Sequence, residues 1–85
     1  MNVFIVEDEI LSQMSLARML NANFPDIKIV GTARTVKETL EFLRSDEIEH
    51  PDLIFMDVEL QDGNCFDIFR QVDITSNVVL TTAYH

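Results

Sequence analysis

The sequence predicts an α/β protein, a parallel sheet between two layers of helices, and three observations point to it. Four short segments with at least three apolar residues in four, VFIV, IKIV, LIFM and VVLT, are spaced along the 85 residues. Between them the apolar positions change to steps of three and four, the period of a helix. Two of the runs, "NVFIVED" and "DLIFMD", stop abruptly on carboxylates, and Glu9 follows the first. Strands that alternate with helices pair in parallel and carry helices on both faces.

The predicted order is β-α-β-α-β-α-β. Val3 to Val6 read as a buried strand. Ile10, Met14, Ala17 and Leu20 then recur at steps of four, three and three, which predicts the buried face of a helix ending near Asn23. Pro25-Asp26 breaks that helix, and Ile27 to Val30 read as the second strand. Thr35 and Glu38 have the spacing of a capping box, and Val36, Leu40 and Leu43 carry the second helix toward Asp46. His50-Pro51 marks a turn, with His50 facing solvent. Leu53 to Met56 form the third strand and Asp62-Gly63 a loop. Phe66, Phe69 and Val72 predict the face of a short third helix, and Val78 to Thr81 the fourth strand. Met14, Met19 and Met56 are expected to fill the core, and Cys65 to pack there.

The length allows one domain, residues 1–85, which buries only about 60–65% of its extended surface. Fifteen acids against six bases leave a net charge of −9. Nucleic acid and anionic membrane should repel such a surface, while metal cations and basic partners suit it. A single cysteine excludes an internal disulfide and fits a reducing, cytoplasmic setting. No run approaches the roughly 20 apolar residues of a membrane span, and the first apolar run lacks the form of a signal peptide.

The acids carry the chemistry. In an open parallel sheet the ligand site lies beyond the carboxyl ends of the strands, where their order reverses. If the first and third strands are neighbours, Glu7, Asp8 and Asp57 meet at that point. Carboxylates 4–5 Å apart repel by roughly 3–4 kcal/mol per pair at an effective dielectric near 20, so one keeps its proton or a cation binds. Carboxylates, water and phosphate oxygen are the ligands Mg²⁺ prefers. A carboxylate can also attack phosphorus to form an acyl phosphate, and a bridging Mg²⁺ removes the repulsion between the two anions. Thr82, ending the next strand, would offer a hydroxyl to a phosphoryl oxygen. Each residue alone has a plainer role: Asp8 or Glu9 at a helix N-terminus, Asp57 in a turn, Thr82 at a strand end. Their recurrence at the same ends of three strands favours the joint reading.

"VFIVEDE", "DLIFMDVELQDG" and "VVLTTAY", in that order and spacing, resemble the receiver domain of two-component response regulators along the whole chain. The resemblance implies a flavodoxin-like three-layer fold with strand order 2-1-3-4. It makes Glu7 and Asp8 the acidic pair that binds Mg²⁺ and Asp57 the phosphoacceptor and a further ligand. The backbone carbonyl of Glu59 completes the protein ligands, and Thr82 follows the phosphoryl group on activation, with Ala83 leaving it room. Glu in place of Asp at position 7 is a common variant, and Gln61 stands where many members carry proline.

Receivers also carry a fifth strand and last helix with a Lys that pairs with the phosphoryl group. Arg18, Lys28, Arg34, Lys37, Arg44 and Arg70 all fall on other elements, so the chain is expected to stop before that final unit. The fourth strand would then be an exposed edge able to pair or swap with a second copy. The implied partners are a sensor histidine kinase and an output domain, the latter of LytTR DNA-binding type from "FDIF" and "TTAYH". Tyr84 lies in the loop that changes shape in receivers, and His85 has no arguable role.

Two other readings differ in class. A pseudo-receiver would bind partners without phosphorylation, but normally lacks part of the acidic set. A phosphatase of the haloacid-dehalogenase type needs two Asp on its first strand; here the pair is Asp57 and Glu59, on the third.

Overall fold

The computed structural model of the chain describes residues 1–47 and 49–81. The elements are β1 (Asn2–Val6), α1 (Ile10–Asn23), β2 (Lys28–Ala33), α2 (Val36–Arg44) and β3 (Leu53–Asp57). They continue with β4 (Glu59–Leu60), β5 (Gly63–Asn64), α3 (Cys65–Phe69) and β6 (Asn77–Thr81). The main sheet is parallel with order β2-β1-β3-β6, the predicted 2-1-3-4. β1 is therefore central, and the chain reverses direction across the sheet between β1 and β3. That is where an open sheet leaves a crevice at the carboxyl ends of its strands.

Successive residues of a strand point to opposite faces, and both faces of β1 are apolar. Phe4 and Val6, with Ile54 and Met56 of β3, meet Val36, Leu40, Cys65 and Ile68 on the α2–α3 side. Val3 and Ile5 meet Leu20, flanked by Leu16 and Ala17, on the α1 side. Gly31 pairs with Phe4 in β2, and a Cβ there would collide with the ring of Phe42. Its absence lets Phe42 stack on Phe4, with centroids 3.9 Å apart and planes within 6°.

Several expectations are corrected. β2 runs on to Ala33 because pairing with β1 draws Gly31, Thr32 and Ala33 into the ladder despite the weak strand preference of Gly31 and Ala33. The buried face of α1 is Gln13, Leu16, Ala17 and Leu20. Ile10 is half exposed, and Met14 and Met19, expected in the core, are each 46% exposed; Met56 alone of the three is buried. In α3 the buried residues are Cys65 and Ile68, while Phe66 is 52% exposed and Phe69 leans edge-on against it. His50 is exposed as expected, yet its ring bonds Thr75 Oγ1 at 3.0 Å.

Between β3 and α3 the chain forms a small antiparallel ribbon, β4 with β5. Gly63 turns it at φ 153°, a conformation that side chains disfavour. Asp62 in this turn reaches across to α2, accepting from Val36 N at 2.7 Å and Lys37 N at 3.1 Å. Thr35 Oγ1 accepts from Glu38 N at 3.0 Å, one arm of the expected capping box. A full capping box forms at α3, where Asn64 and Asp67 exchange hydrogen bonds.

Candidate functional site

β1 and β3 pair in register from Val3↔Leu53 to Val6↔Met56, so Glu7 and Asp57 leave the sheet side by side. Glu7, Asp8 and Asp57 each offer a carboxylate oxygen, and these oxygens lie within 4.8 Å of one another. Asp57 is only 6% exposed, and Glu7 and Asp8 are partly buried. The predicted meeting of the three acids is thus observed.

The electrostatics are strained. Burial pushes the Glu7 carboxyl up to about 7; the Glu9 N–H, at 3.1 Å from Glu7 Oε2, acts the other way, and contact with Asp57 and Asp8 raises it further. Three acids that share so little solvent need a proton or a cation among them. The donor set, three hard carboxylates at a half-open sheet end, fits a Mg²⁺-sized ion with water in its remaining positions. Helix capping does not account for these acids. Glu9 is the N-cap of α1 and makes no side-chain cap bond, while Glu7 and Asp8 converge on Asp57.

Thr82, Ala83, Tyr84 and His85 lie outside the described residues, and β6 ends at Thr81, opposite Asp57. Glu59 is exposed at the start of β4.

Two residues near the acids were not found in the sequence. Gln13 is buried beneath the turn between β1 and α1, donating from Nε2 to Glu7 O at 3.3 Å and Ala33 O at 3.2 Å. Arg34 donates from Nε to Asp8 O at 3.3 Å. A polar residue in step with Leu16 and Leu20 was the available signal for Gln13; nothing local marks Arg34. An open depression of about 410 Å³ beside the acids is lined by Asp8, Glu9, Ile10, Leu11, Arg34 and Gln61.

A parallel α/β sheet with three acids gathered at the reversal of its strand order defines a class: an open α/β domain whose candidate site is a cluster of hard oxygen donors. Within it, residues 3–85 match the family model of the response regulator receiver domain, and the chain belongs to that family. It is 32% identical to the sensory transduction protein LytT of Bacillus anthracis over 87 residues, 99% of this chain and 34% of that protein. A protein-glutamate methylesterase/protein-glutamine glutaminase of Methanosarcina acetivorans is 43% identical over 60 residues, 71% of this chain and 16% of that protein. Among solved structures, the MaeR response regulator bound to beryllium trifluoride superposes with a TM-score of 0.81 at 26% identity, over 99% of this chain and 68% of that one. The chain spans about a third of the length of the LytT relatives it matches. Among the described residues no helix is long and apolar enough to cross a membrane.

Proposed function

We propose that this receiver domain accepts a phosphoryl group on Asp57 from a phosphohistidine of a sensor kinase and uses Mg²⁺ to do so. The observation that carries the reading is the convergence of Glu7, Asp8 and Asp57 on one point at the end of β1 and β3. MaeR, a structural neighbour bound to beryllium trifluoride, a tetrahedral stand-in for a phosphoryl group, lends support.

Glu7, Asp8 and Asp57 would hold the ion, with the backbone carbonyl of Glu59 as the further protein ligand. When bound, Mg²⁺ supplies the positive charge that lets an anionic carboxylate approach an anionic phosphoryl group. An Asp57 carboxylate oxygen attacks phosphorus, the P–N bond to the donor imidazole breaks, and the imidazole leaves with its electron pair and takes a proton. The result is an acyl phosphate on Asp57. Attack by water on its phosphorus returns inorganic phosphate and the free carboxylate. Thr82 is assigned the hydroxyl that hydrogen-bonds the phosphoryl group and so changes the surface shown to an output domain. The similarity to LytT suggests a LytTR-type, DNA-binding output for the whole protein, with the acidic domain itself making no nucleic-acid contact. The chemistry is self-modification in the cytoplasm rather than turnover of a diffusible substrate.

Intact mass after treatment with acetyl phosphate tests this. We expect one phosphoryl addition that needs Mg²⁺ and disappears in Asp57→Asn. No addition to the wild-type protein would leave a pseudo-receiver that signals by binding alone.

A further inference from the structure

We propose that Gln13 is a positioning residue of the acid site: its carboxamide locks the turn that carries Glu7 and Asp8, holding the pair in the attitude that a cation needs. The inference rests on the metal reading above and adds to it a residue outside the ligand set.

The other side-chain bonds to the turn are exposed: Glu9 N to Glu7 Oε2, Ser12 Oγ to Glu9 Oε1 and Arg34 Nε to Asp8 O. The turn's residues, 7 to 9, join β1 to α1, whose N-cap residue Glu9 gives the helix no side-chain cap. Gln13 stands one turn into α1, where its own N–H makes the helix's first bond, to Glu9 O at 3.0 Å. Its side chain points down rather than out and is only 9% exposed. A carboxamide nitrogen carries two protons, and Nε2 lies within bonding distance of two carbonyls. One is Glu7 O, at the end of β1, and the other is Ala33 O, at the end of β2. Ala33 O also accepts from Glu7 N at 2.9 Å. The Glu7 residue is therefore held at its N–H by Ala33 and at its C=O by Gln13, and Gln13 ties both to the helix.

This closed arrangement fixes the peptide plane between Glu7 and Asp8. The planes on either side are held by the Ala33 bond to Glu7 N and the Arg34 bond to Asp8 O. Both Cα–Cβ bonds therefore leave the chain in set directions, and the two side chains start toward the site before any ligand arrives. Aiming them in advance lowers the ordering cost of binding. Packing alone does not account for the residue. The rest of the buried face is Leu16, Ala17 and Leu20, and a buried amide is destabilising unless its hydrogen bonds are made. Here one described bond of that amide goes to the turn and the other to the end of β2, which itself holds Glu7 N. Arg34 holds the next carbonyl, Asp8 O, from the solvent side.

Gln13→Met, in the full chain, keeps the length and much of the volume of the side chain and deletes both donors. Mg²⁺ affinity is measured by calorimetry alongside the thermal melt. We expect affinity to fall about tenfold, the low end of the effect of removing an outer hydrogen-bond partner from a metal site. Leu16→Ala loosens the same helix without touching the turn, and should lower the melting temperature while leaving affinity unchanged. Wild-type affinity in Gln13→Met, or equal weakening in both variants, overturns the proposal.

A second measurement needs no variant. In the NMR spectrum the side-chain NH₂ of Gln13 should exchange more slowly than that of Gln71, which is exposed and donates to Asp67 O, and should shift when Mg²⁺ is added. A Gln13 NH₂ that behaves like that of Gln71 also overturns it. Failure of the wild-type protein to bind Mg²⁺ would defeat the metal reading and this proposal together. Binding that ignores Gln13 would defeat only the latter.

Discussion

Glu7 and Asp62 both lie in turns at the carboxyl end of the sheet, and the fold drives their carboxyl groups in opposite directions. Burial pushes Glu7 up, with two neighbouring acids adding to the effect and one backbone N–H opposing it. For Asp62 the slight burial also acts upward. The N–H groups of Val36 and Lys37, with its own, outweigh it and hold the carboxyl below its ordinary value. One acid is surrounded by acids, the other by donors. Asp62 is complete as it stands, a cap for α2 brought from 26 residues away. Glu7 belongs to a set of acids that raise one another's carboxyl values. The comparison separates an acid whose hydrogen bonds build the fold from acids that burden it by their mutual repulsion, which their number in the composition could not do.

The strongest way to break the comparison is to remove the satisfied acid. Asp62→Ala leaves the first two N–H groups of α2 without their acceptor and frees the turn after β3. By analogy with helix caps it should destabilise by about 1–2 kcal/mol in urea titration, and Asp62→Asn by less. The pH dependence follows from the depressed carboxyl. Its contribution is complete above the ordinary value of 3.8 and lost as pH falls through the lower folded value. The stability curves of wild type and Asp62→Ala should therefore lie apart at neutral pH and converge in acid. Curves that stay parallel would show that the carboxylate is not the cap.

Asn64→Ala tests the second satisfied cluster. It deletes the side chain that accepts from Phe66 N at 3.0 Å and Asp67 N at 3.3 Å. Loss of one N-cap predicts about 1 kcal/mol. α3 has only five residues, so the loss should appear as faster amide exchange in that helix. Protection unchanged from wild type would remove Asn64 from the group of structural caps.

The acid site was legible in the sequence because two strands of unbroken apolar character both end on carboxylates, and parallel register leaves no other place for those ends. Helix faces were harder. Ile10, Leu11, Met14, Leu16, Ala17, Met19 and Leu20 supply more apolar positions than α1 can bury, so the periodicity establishes a helix without choosing its face. The face chosen in the fold includes Gln13, whose polarity hid it. Phe66 and Phe69 misled for a related reason: bulk and hydrophobicity attract attention, but Cys65 and Ile68 fit beneath the helix. The Asn64 to Asp67 capping box has the same spacing as Thr35 to Glu38 and could have been read. The Asp62 cap could not, because it depends on two turns that only the tertiary fold brings together.

The smallest expected effect has the opposite sign and is the sharpest test. Glu7→Gln removes one of three mutually repelling charges but retains an acceptor oxygen for the Glu9 N–H. In metal-free buffer at about pH 8, where carboxylates are normally ionised, the variant should be more stable than wild type. The carboxyl is partly open to water, so screening keeps the gain to at most about 1 kcal/mol. Saturating Mg²⁺ should reverse the ranking, since the wild-type site gains a ligated ion and the variant binds it less well. Urea midpoints for both proteins, with and without Mg²⁺, measure the crossing. A metal-free Glu7→Gln that is less stable than wild type would place Glu7 with Asp62, as an acid the fold itself requires, and the distinction between the two would fail.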